Sequence, residues 1–87
     1  MNWRVEFADE AARTFRKLDK QIARRISNAL GRLELAPDPA SLCKGLYGPY
    51  AHLWRYRVGD WRVIFDIQRG RLVVLVLEVG HRSSVYE

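Results

Sequence analysis

One cysteine, Cys43, stands in a chain of 87 residues, so no internal disulfide can form. It also lacks the neighbouring cysteines or histidines of a zinc site, which leaves it a buried or bystander thiol. No apolar run reaches the roughly 18–20 residues that a membrane-spanning helix needs. The opening M-N-W-R-V-E-F carries charge where a secretory signal is continuously apolar. These absences set the expectation of a reducing, cytoplasmic setting with no membrane association. Proline is scarce and confined: Pro37, Pro39 and Pro49 share one short stretch, A-P-D-P-A-S-L-C-K-G-L-Y-G-P-Y, which reads as loop. Carboxylates are few in the second half, and Asp66 with Glu78 makes a poor pair for the ions of a metal-dependent nuclease.

What is present is a folded composition with a basic bias. Hydrophobic residues make up 48% and charged residues 29%, which fits one globular domain spanning residues 1–87. The formal charge is +5, a balance suited to nucleic acid or an acidic protein partner. Its distribution is uneven. Up to Cys43 there are eight basic and six acidic residues; after it there are seven and four, and six of those seven are arginines. Arginine presents a planar fork of donors matched to phosphate, whereas lysine is a mobile point charge.

Trp3 to Phe7 alternates apolar and charged residues, the pattern of a short strand with one buried face. Asp9 is placed to cap a first helix, on which Ala12, Phe15 and Leu18 form an apolar stripe. Asp19 is placed to cap a longer helix through about Leu35, with Ile22, Ile26, Ala29, Leu30 and Leu33 on its inner face. Beyond the loop, Leu53 to Ile67 reads as a hairpin turning at Gly59-Asp60. Leu72 to Leu77 is a continuous apolar strand, following a turn at Arg69-Gly70. The expected fold is α+β in the order β-α-α-β-β-β. A four-stranded, mostly antiparallel sheet carries the helical hairpin on one face and leaves the other open and basic.

The hairpin holds the first functional clue. A two-residue turn sets Val58 against Trp61 and Arg57 against Arg62, so Arg55, Arg57 and Arg62 collect on the face away from the core. Like charges directly opposed destabilise a sheet, and a bound polyanion would account for them. The tail brings His81, Arg82 and Tyr86 towards the same edge, where an aromatic ring can stack an unpaired base. Without metal, RNA can be cut by activating its own 2′-hydroxyl against the adjacent phosphate. That route needs a base, an acid and cations around the developing charge. Blander readings run alongside: Arg55 and Arg57 as the solvated face of an edge hairpin, Tyr86 as a C-terminal anchor, His81 as a rim histidine. A Ser-His-Asp triad from Ser83, Ser84 and His81 asks sequence neighbours for a geometry they rarely reach.

The strings L-W-R-Y-R-V-G-D-W-R-V-I-F and L-V-V-L-V-L-E-V-G-H-R-S-S-V-Y, with V-E-F-A-D-E-A-A-R-T-F-R-K-L-D before them, resemble the RelE/ParE superfamily of bacterial toxins. The resemblance covers nearly the whole chain, and the RelE-like branch is favoured. It implies a ribosome-dependent endoribonuclease that cleaves mRNA in the A site without metal or other cofactor, leaving a 2′,3′-cyclic phosphate. It also implies ribosomal RNA contacts and a neutralising cognate antitoxin, acidic and partly disordered, in a hetero-oligomer. The alternative is a ParE-type toxin, which uses the same scaffold to poison DNA gyrase without the catalytic set. By the resemblance, Arg62 holds the scissile phosphate, Arg82 protonates the leaving group or stabilises charge, and Tyr86 stacks on or orients the substrate base. Arg55 and Arg57 line the site, and His81 is the candidate general base, since an arginine stays protonated. One position departs from the pattern: where the family has another lysine, this chain has Leu53.

Overall fold

The computed structural model describes residues 3–81, so Arg82 and Tyr86 lie outside the described residues. The alternating N-terminal segment forms β1 (Arg4–Phe7). Helix α1 (Asp9–Arg16) follows, but Asp9 is its first helical residue; the capping position is Ala8, with no side-chain hydrogen bond. Asp9 and Glu10 instead sit in the first turn, where carboxylates favour the helix dipole. Helix α2 (Lys20–Leu35) is capped as its sequence predicts, the Asp19 carboxylate accepting the Gln21 backbone N–H at 3.0 Å.

The proline-rich stretch is more ordered than a loop. Short helical turns at Pro39–Leu42 and Gly48–Tyr50 flank a two-residue strand, β2 (Lys44–Gly45), which adds a fifth strand to the expected four. The hairpin is β3 (Trp54–Val58) and β4 (Trp61–Gln68), and β5 (Val73–His81) completes the sheet. Gly59 alone takes positive φ in the hairpin turn, at +60°, as a type II′ turn requires of its first central residue.

The sheet runs β1-β5-β4-β3-β2. Only the β1–β5 pairing is parallel; the other three are antiparallel. The most apolar strand is therefore interior, between β1 and β4, and its Val73, Val74 and Val76 are fully buried. The free edge of β1 is tied down by α2: Trp3 N–H donates to the Glu34 carbonyl at 3.0 Å and Val5 N–H to its carboxylate at 3.0 Å.

Both helices pack on one face, over a core of Ile26, Ala29, Leu30 and Leu33 against Val58, Val63, Phe65, Val74, Val76 and Val79. The opposite face has a smaller apolar cluster of its own, Leu46, Leu53 and Ile64 with Leu77 against it. It is thus basic at one end and apolar at the other.

Candidate functional site

The register of β3 and β4 is the one the turn predicts: Val58 pairs with Trp61 and Arg57 with Arg62, with Arg55 opposite Ile64 one row further. Val58 and Trp61 point into the helix-side core, so Arg57 and Arg62 share the open face. Their exposures differ. Arg57 is exposed, whereas Arg62 is only 8% exposed, the one buried charged side chain among the described residues. Its guanidinium is a planar fork of donors, suited to an anion on this face. Across the sheet Arg62 faces Gly80, which has no side chain to crowd it.

Two further grooves meet at Arg57. One, of about 340 Å³, is lined by Leu42, Cys43, Lys44, Arg55 and Arg57, so β2 adds a lysine to the hairpin arginines. The other, of about 350 Å³, lies between α2 and the hairpin tip and is lined by Arg25, Asn28, Arg32, Arg57, Val58 and Gly59. Arg25 and Arg32 join the hairpin here because of how the helix crosses the turn. Cys43 faces the first groove but is chemically quiet. Its thiol donates to the Pro39 carbonyl at 3.2 Å, and burial, then the charge of Asp38, pushes its pKa up to about 12.

His81 is not where the sequence-based expectation puts it. It pairs with Trp61 and meets that ring edge-on, with centroids 5.6 Å apart. Trp61 packs against the helix-side core, so strand alternation sets His81 on that side and not beside Arg62.

The third pocket, of about 330 Å³, lies on the open face beyond the arginines. Leu53, Ile64 and Leu77 form its apolar floor, Pro49, Tyr50 and His52 one wall, and Glu10 and Glu78 the other. Burial, then the charge of Glu10, raises the Glu78 pKa above the usual carboxylate range. Among the described residues no three of His, Cys, Asp and Glu converge as a metal ion would need.

The chain is thus an α+β layer with arginines grouped on the uncovered face of its sheet. The family described as ParE toxin of type II toxin-antitoxin system, parDE, matches residues 5–86, and the chain belongs to it. An Escherichia coli protein named for its likeness to RelE toxins is 27% identical over 89 residues, covering 99% of this chain and 92% of its own. The toxin–antitoxin complex RelBE2 of Mycobacterium tuberculosis superposes with a TM-score of 0.84 at 28% identity, covering 94% of this chain and 100% of its counterpart. The archaeal RelE–RelB complex of Pyrococcus horikoshii gives 0.73 at 25% identity, over 98% and 100%. This is therefore a type II toxin of the RelE/ParE superfamily.

Proposed function

We propose that the protein is a ribosome-dependent endoribonuclease, a cytoplasmic toxin that arrests growth by cutting mRNA in the ribosomal A site. The observation that carries this reading is Arg62, a buried guanidinium on the open sheet face, directly opposite Arg57 and one row from Arg55. A cluster of this kind is costly to a sheet alone and well suited to an RNA phosphate and the extra charge its transition state develops. Arg62 would grip the scissile phosphate, Arg55 and Arg57 the flanking backbone, and Arg82 and Tyr86 would complete the site from the tail. Reaction proceeds by attack of the 2′-hydroxyl, for which the residues named need no metal.

Several of the similar structures are toxin–antitoxin complexes. They support a cognate antitoxin for this chain, and the basic grooves on either side of Arg57 suit an acidic segment that folds as it binds. The competing reading is a ParE-type gyrase poison. Expression without antitoxin distinguishes the two. Primer extension finding cuts inside translated codons supports cleavage; intact RNA with a DNA-damage response supports gyrase poisoning.

A further inference from the structure

The proposed cleavage needs a group to take the 2′-hydroxyl proton, and two sequence-based positions do not offer one. Leu53 is apolar and 7% exposed, packed into the floor of the open-face cluster. His81 lies on the helix side against Trp61. A third group does reach the open face.

Strand β5 has an irregularity opposite Ile64 and Phe65: Phe65 pairs with Val76, yet Ile64 pairs with Glu78. One residue of β5, Leu77, is therefore extra. Strict alternation from Val74 and Val76 would aim residue 78 into the helix-side core, where a carboxylate would be very costly. The bulge turns Glu78 to the open face instead, and Val79 returns to the core opposite Val63. Re-aiming a side chain next to a site is a common use of a bulge. Glu78 then flanks Ile64 on one side as Arg55 does on the other, and stands diagonal to Arg62. Diagonal neighbours lie roughly 7–8 Å apart, their Cβ atoms somewhat closer, within reach of one phosphate and its adjoining ribose for two long side chains. Leu53, at the family's lysine position, lines the same pocket. Among the described residues no hydrogen bond reaches Glu78 Oε1, although that atom is buried.

We propose that Glu78 is the catalytic general base of this protein, supplying from β5 what Leu53 cannot supply from the hairpin. The inference rests on the endoribonuclease reading above. The Glu78 carboxylate accepts the 2′-hydroxyl proton as the 2′-oxygen bonds to phosphorus. The bond from phosphorus to the 5′-oxygen breaks, that oxygen takes a proton from solvent, and Glu78 returns its own proton to solvent. The products are a 2′,3′-cyclic phosphate and a 5′-hydroxyl, with no net proton consumed. Glu10 from α1 and Tyr50 and His52 from the loop line the pocket with this carboxylate, while Arg55 lies across Ile64 from it and Arg62 stands diagonal to it. Burial, then the negative charge of Glu10, keeps it a stronger base than an exposed glutamate.

The test is single-turnover cleavage of mRNA on programmed ribosomes across a pH series. Glu78→Gln is expected to lower the rate by about 10²–10⁴-fold, the range that a positioned base contributes, while ribosome binding persists. The wild-type rate should rise with pH through a limb set by Glu78, and Glu10→Gln should move that limb to lower pH. Should Glu78→Gln fail to fold, the Glu10→Gln shift decides. Wild-type cleavage that is unchanged in Glu78→Gln, or a limb unmoved in Glu10→Gln, overturns the assignment of Glu78 alone. No cleavage by the wild type overturns the endoribonuclease reading with it.

Discussion

Arg62 and Glu78 are the two charged side chains whose placement is hardest to explain by stability alone. Arg62→Ala should lower cleavage by about 10²–10³-fold, the loss typical of removing one transition-state donor. Arg62→Lys should fall between, since it keeps charge and loses the fork. Glu78 makes a separate stability prediction. Its folded pKa is raised, so the folded state holds its proton more tightly than the unfolded chain does. Stability is therefore lost as pH rises from the ordinary carboxylate range to the raised value. Glu78→Gln should raise the melting temperature at neutral pH and leave it unchanged in acid, where both forms are neutral. Calorimetry at the two pH values checks this. A gain in stability with a loss of cleavage would mark Glu78 as a residue kept for function.

Among the elements, α2 and the hairpin turn have single points of failure. Asp19→Ala removes the carboxylate that accepts the Gln21 N–H and should cost about 1 kcal/mol in denaturant unfolding. Gly59 answers to two constraints at once. Its φ of +60° disfavours a side chain, and a Cβ there would lie 2.6 Å from an Nη of Arg25. Gly59→Ala should therefore destabilise by about 1 kcal/mol or more and displace Arg25 from the groove between α2 and the hairpin. Both helices and the hairpin are legible from spacing, because 3.6-residue and two-residue periods bury different faces. β2 is not. Lys44–Gly45 is too short for a period to register and exists only because the edge of β3 is there to pair with.

For the molecule as a whole, Arg25, Arg32, Lys44, Arg55 and Arg57 line the two grooves where α2, β2 and the hairpin meet, in a chain of net charge +5. Binding to ribosomes or RNA should weaken steeply with salt, the slope counting the phosphates engaged. Substituting both Arg25 and Arg32 by alanine should flatten that slope by about two counterions, one for each phosphate no longer neutralised. Filter binding over a salt series measures it. An unchanged slope would place the RNA path over Arg55, Arg57 and Lys44 alone.

The hydrophobic periods, the Asp19 cap, the Gly59 turn and the opposition of Arg57 to Arg62 were all determined by the sequence itself. Each follows from interactions within a few residues of one another along the chain. Three features were decided only by the tertiary structure. The parallel docking of β1 on β5 joins distant segments, and nothing local selects that partner. His81 went to the helix side, and Glu78 to the arginine side, because one unpaired residue in β5, Leu77, shifted the alternation ahead of both. A bulge arises from the register of two strands, and no period within one strand predicts it.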